Sequence, residues 1–172
     1  MSMLDFAIMA TTEYIDHMPK SQRKKYGQFF TSKETAIFMA ELFEIPNGCE
    51  VLSILDPGAG SGILSIALLE RLQSFSVIKE IRLVCYENDP NIMELLRTNL
   101  ETACSYSQQE ISYEIVPDNY ILSQSNDYNL MLGANLNPEK FDFIIGNPPY
   151  MKIAKNTPEA LAMPDVCYGA PN

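Results

Sequence analysis

At 172 residues and 19.4 kDa, with 47% hydrophobic and 20% charged residues, the chain has the length and apolar content of one folded domain, which excludes a disordered polymer. No apolar run reaches the roughly 18–20 residues of a membrane-spanning helix, and Asp5 and Glu13 interrupt the apolar N-terminus a signal peptide would need, so a soluble cytoplasmic protein without membrane contact is expected. A net charge of −10 argues against indiscriminate nucleic-acid binding.

Residues 3–18 carry mixed apolar and polar positions consistent with a helix that Pro19 ends, with His17 at its surface-exposed end. A basic loop follows, holding Lys20, Arg23, Lys24 and Lys25, with Lys33 just beyond; its bland reading is a solvated linker. Thr31-Ser32-Lys33-Glu34 has the form of a capping box, which predicts a helix over about 32–44 with Ile37, Met39, Ala40, Leu42 and Phe43 as its apolar surface.

Val51 to Leu55 reads as a strand ending at Asp56 and a glycine-rich turn, and Ile63 to Leu72 as a helix. Ile81 to Tyr86 is a second strand; Asp89 then caps a helix beginning at Pro90 and running to about Thr102. Ile111 to Val116 and Phe141 to Ile145 are the third and fourth strands. The alternation predicts an α/β fold with a doubly wound, mostly parallel sheet, in which ligands bind at the carboxyl ends of the strands. Asp56, Glu87, Asp118 and Asn147 each stand just past a predicted strand, so four polar residues are expected on one rim.

The expected organisation is an N-terminal helical segment at 1–45, a core at 46–150, and an irregular tail at 151–172 without convincing strand or helix. The sheet is expected to stop after four strands, leaving an exposed edge through which copies could self-associate. The four cysteines are far apart with no C-x-x-C pair, and read as reduced thiols. His17 is the single histidine, which disfavours His-based zinc chemistry and a Ser–His triad, so no metal is expected.

Asp56-Pro57-Gly58-Ala59-Gly60-Ser61-Gly62 joins strand to helix, where glycines permit a sharp turn and a close ligand, and the helix N-terminus offers free N–H groups. A plain tight turn is the alternative, and the spacing is not that of a P-loop. Glu87 reads either as an acceptor for two ribose hydroxyls or as a helix-start carboxylate. Asp118-Asn119 reads as an acceptor for an adenine amine, with Asp127 as a rival, or as an Asx turn. Asn147-Pro148-Pro149-Tyr150 is the most specific feature: neither proline carries an N–H, so the Asn147 side-chain oxygen and the Pro148 carbonyl can grip an NH2 group while Tyr150 stacks on its ring. A structural Pro-Pro turn is the bland reading.

Together, Lys25-Tyr26-Gly27-Gln28-Phe29-Phe30-Thr31, the glycine loop, Tyr86-Glu87-Asn88 and Asn147 to Tyr150 resemble the adenine-N6 DNA methyltransferases. Their order resembles the gamma arrangement of restriction–modification methylases, including the type IIG enzymes. The resemblance covers about residues 20–150 and implies a Rossmann-like S-adenosylmethionine-dependent fold. By it, Phe29, Phe30 and Thr31 would close over the methionine end of S-adenosylmethionine, with the Thr31 hydroxyl near the carboxylate. Asp56 would face the amino group, Gly58 and Gly60 would make room for the sulfonium arm, Glu87 would hold the ribose, Asn88 would flank the adenine and Asp118 would accept from its amine. Asn147, Pro148, Pro149 and Tyr150 would hold the target adenine. The family also carries more strands and a target-recognition domain after this motif, so the resemblance implies an N-terminal catalytic-domain fragment that meets DNA through a missing part of its parent. Asn-Pro-Pro-Tyr occurs too in enzymes that methylate RNA adenine or protein glutamine, and a non-catalytic cofactor-binding module is a further alternative.

Overall fold

The computed structural model describes residues 1–19, 30–124, 139–148 and 155–162. The first helix, α1 (Met3–His17), starts at Ser2, whose hydroxyl accepts from the Asp5 N–H while the Asp5 carboxylate accepts from the Ser2 N–H. Helix α2 (Lys33–Glu41) is capped by Ser32 and not by Thr31: the Ser32 hydroxyl accepts from the Thr35 N–H at 3.2 Å. It is also shorter than its apolar pattern suggested. Ala36 and Ala40 are its buried residues, while Ile37, Phe38 and Leu42 lie exposed.

Strand β1 (Val51–Asp56), helix α3 (Ile63–Leu72), strand β2 (Glu80–Tyr86), helix α4 (Pro90–Tyr106) and strand β3 (Glu110–Val116) follow. Helix α4 runs four residues past Thr102, since nothing between there and Tyr106 breaks a helix. Its buried residues, Ile92, Leu96, Asn99, Leu100 and Ala103, fall on one stripe. Helix α3 buries most of its circumference, which is why its sequence shows no polar face.

The fourth strand, β4 (Phe143–Ile144), is much shorter than the expected 141–145. The Asp142 carboxylate takes both the backbone N–H and the hydroxyl of Ser53 in β1, at 2.8 and 2.7 Å. A side chain thus replaces the strand carbonyl, and regular pairing stops there. In the segment expected to be irregular, a short helix α5 (Pro158–Ala162) forms.

The sheet is parallel with order β3-β2-β1-β4. The chain winds from β1 outward to β3 and then returns to the opposite side of β1. This reversal is the switch point of an α/β Rossmann-like fold. Leu52, Ile54, Ile81, Leu83, Cys85 and Phe143 share the face packed against α1 to α4, and with Leu4, Ile66, Leu68 and Leu96 they form the core. Cys85 is buried, Cys49 and Cys104 are half-buried, and all three are free thiols; Cys167 lies outside the described residues.

Candidate functional site

Parallel strands end on the same side of the sheet, and the register aligns Asp56 of β1 with Cys85 of β2, so Asp56 and Glu87 emerge on one rim. After β4, the Ile145 N–H donates to Leu55 O at 2.9 Å, which brings Asn147 to the same rim. Gly146 makes this approach possible. A Cβ there would stand 3.2 Å from Pro57 Cδ, so a side chain would press the β4 exit off the glycine loop.

The loop is fixed from three directions. From the side, the Ala59 N–H donates to Tyr86 O at 2.9 Å. From behind, Asn99 Nδ2 donates to Ser61 O at 2.8 Å. From beneath, the Gly58 N–H donates to Asp56 Oδ1 at 3.3 Å. Gly60 and Gly62 have φ of +56° and +83°, values that L side chains rarely adopt. The two differ in surroundings. A Cβ on Gly62 would lie 2.9 Å from Leu96 Cδ1, whereas Cβ atoms on Gly58 or Gly60 would meet nothing within 4 Å. The loop is therefore packed behind and open in front.

Asp56 is fully buried, and Ser65 Oγ donates to its Oδ2 at 2.6 Å. Burial pushes its carboxyl up to about 6, against the opposing pull of the Ser65 and Gly58 hydrogen bonds. Glu87 is half-buried, with Oε2 accepting from the Gly60 N–H at 2.9 Å and Oε1 from the Asp89 N–H at 2.7 Å. Its carboxylate thus bridges the glycine loop and the cap of α4. Each oxygen keeps lone-pair capacity beyond that one bond, so the pair can still accept from two hydroxyls of a ligand. An open loop beside a fixed, partly exposed carboxylate fits a nucleoside with a free ribose.

Asn88 and Asp118 are exposed. Asn119 is engaged: its Oδ1 accepts from the Ile121 N–H at 3.0 Å, capping a helical turn at 120–124, and its Nδ2 donates to Glu159 Oε1 at 3.1 Å. The Tyr86 and Tyr120 rings meet edge to face, 5.0 Å apart, beside this turn. At the other side of the rim Phe30 and Thr31 are half-buried, and Asn147 Nδ2 donates to Thr31 Oγ1 at 3.1 Å. Pro148 is exposed. Phe29, Asp127, Pro149 and Tyr150 lie outside the described residues.

Sequence reasoning overlooked Ser65, Asn99 and Pro57. The first two left a signal: Ser65 is a polar residue inside an apolar helix, and Asn99 interrupts the apolar stripe of α4. Pro57 left none, because its contact with Gly146 joins distant segments.

A family model described as N-6 DNA methylase matches residues 11–161. The chain is similar to modification methylase CviBIII of Paramecium bursaria Chlorella virus NC1A, 31% identical over 144 residues, which cover 82% of this chain and 30% of that protein. It is 34% identical over 139 residues to type II methyltransferase M.BsuBI of Bacillus subtilis, covering 78% of this chain and 26% of the relative. Type II methyltransferase M.PstI of Providencia stuartii is 32% identical over 162 residues, 90% of this chain and 30% of the relative. The chain thus spans less than a third of the length of these relatives.

Proposed function

Because the chain belongs to the N-6 DNA methylase family, we propose that it forms the donor-binding and amine-positioning part of a site-specific DNA methyltransferase of a restriction–modification system. The reaction is transfer of a methyl group from S-adenosylmethionine to N6 of a flipped-out adenine. The observation that carries this reading is the pairing on one rim of a fixed Glu87 carboxylate over an open glycine loop with an Asn147 amide held by Thr31.

S-adenosylmethionine, when bound, supplies a methyl group on positively charged sulfur. The remaining chemistry belongs to this chain. Glu87 accepts from the ribose hydroxyls with the lone pairs its backbone bonds leave free. Gly58 and Gly60 give the sulfonium arm room, and the buried Asp56 holds the loop from beneath through the Gly58 N–H. Asn88 and Asp118 serve the cofactor's adenine, and Phe29, Phe30 and Thr31 its methionine end.

A target adenine must leave the duplex, at a cost of a few kcal/mol. Its N6 lone pair is delocalised into the ring and is a poor nucleophile. Acceptors at Asn147 Oδ1 and the Pro148 carbonyl favour a pyramidal nitrogen over the planar ground state, Pro149 brings no competing N–H, and Tyr150 stacks on the ring. Sequence recognition is assigned to a domain outside these residues.

The test is transfer of tritium from labelled S-adenosylmethionine to DNA, RNA and protein, by the chain alone and joined to the downstream part of a relative. Label in DNA adenine is expected. Label in RNA or protein instead would redirect the substrate, and donor binding with no transfer by either form would indicate a non-catalytic module.

A further inference from the structure

Thr31 and Asn147 lie on either side of the sequence core, yet the Asn147 Nδ2 donates to Thr31 Oγ1 at 3.1 Å. The direction of this bond matters. An amide is a donor at one end and an acceptor at the other, and only Oδ1 can receive a hydrogen from an amine target. A hydroxyl alone does not choose between the ends, because it can accept from Nδ2 or donate to Oδ1. It chooses once its own proton is committed elsewhere. Among the described residues the Thr31 hydroxyl has one hydrogen-bond partner, Asn147 Nδ2, from which it accepts, and its own proton can be given to an acceptor on a ligand.

Strand order sets which part of a ligand arrives there. With a ribose at Glu87 behind β2 and the sulfonium arm over Gly58 and Gly60 behind β1, the next position along the sheet is the end of β4, where Asn147 meets Thr31. The group beyond the sulfonium is an amino acid whose carboxylate is an acceptor.

We infer that Thr31 is a positioning residue coupling the two halves of the site: it donates its proton to the carboxylate of the methyl donor, is then able only to accept, and so holds the Asn147 amide with Oδ1 toward the target amine. The inference rests on the proposed donor-binding function and adds a rule to it, that donor occupancy orients the group that receives the target.

The test follows the Asn147 side-chain amide in the 172-residue chain by 15N–1H NMR, assigned from its loss in Asn147→Asp. S-adenosylhomocysteine should slow exchange of these amide hydrogens with solvent about tenfold, the effect of one added constraint of about 1.4 kcal/mol. 5′-Methylthioadenosine, which has the nucleoside and thioether but no carboxylate, should bind without that slowing. Thr31→Ser should keep the response. Thr31→Val should lose it while binding S-adenosylhomocysteine about tenfold more weakly. Equal slowing by both ligands, or by the homocysteine ligand in Thr31→Val, would overturn the inference. The two-ligand comparison needs no variant and decides the matter even if Thr31→Val fails to fold. If calorimetry detects no binding of S-adenosylhomocysteine, the donor-binding function itself fails and the coupling falls with it; binding with an unresponsive amide overturns the coupling alone.

Discussion

Glu87 Oε2 accepts a hydrogen bond from the Gly60 N–H at 2.9 Å, while Oε1 of the same carboxylate accepts from the Asp89 N–H at 2.7 Å. One side chain thus ties the turn after β1 to the start of α4. Glutamine has a single acceptor oxygen and can satisfy only one of these donors. Glu87→Gln should therefore cost about 1 kcal/mol of stability, read as a lower urea midpoint at unchanged slope. An unaltered midpoint would mean that water replaces the lost bond without penalty.

The glycines of the loop separate packing from ligand space. Gly62→Ala combines a φ of +83° with a contact 2.9 Å from Leu96 Cδ1, and should cost about 2–4 kcal/mol. Gly58→Ala meets neither obstacle, so its stability should stay within about 0.5 kcal/mol of wild type. Its Cβ enters the space assigned to the donor, however, and should weaken binding of S-adenosylhomocysteine. Loss of stability with normal binding would reverse that assignment.

Asp56 sets a pH dependence of definite sign. Its carboxyl titrates at about 6 when folded, above the ordinary 3.8, because burial disfavours the charge. The folded chain therefore holds this proton more tightly. The associated stability is complete below about pH 3.8 and is lost as pH rises through about 6, a change of about 3 kcal/mol. Urea unfolding of wild type and Asp56→Asn from pH 4 to pH 7 should show wild type losing ground to the variant by about that amount. A difference independent of pH would show that Asp56 stays charged when buried.

Asn147→Ala removes the proposed amine acceptor without touching the glycine loop. In a form that methylates DNA, it should retain donor binding and lose methyl transfer by at least about a hundredfold, as loss of a transition-state acceptor does. Normal turnover would refute the role given to Asn147.

Much of the sheet was legible because its signals are local. Asp89-Pro90 announced the start of α4, and the apolar runs before Asp56 and Glu87 announced β1 and β2. The rim followed from topology, since residues after parallel strands share one end of a sheet. What stayed hidden depends on distant partners. Thr31 and Ser32 can both cap a helix. Thr31 instead accepts from Asn147, 116 positions away, and Ser32 takes the cap. The late start of β4 depends on the Asp142 side chain reaching Ser53, and no alternation of apolar residues reports such a bond. The burial of Asp56 was equally unreadable, because it requires Ser65 from the next helix to meet its carboxylate.

Donor binding is the property on which the proposed site depends, and titration calorimetry of the chain with S-adenosylhomocysteine measures it directly. We predict one saturable site, weakened about tenfold or more in Glu87→Ala, where two ribose acceptors and the anchor of Gly60 disappear together. No heat from the wild-type chain, or equal affinity in wild type and Glu87→Ala, would contradict it.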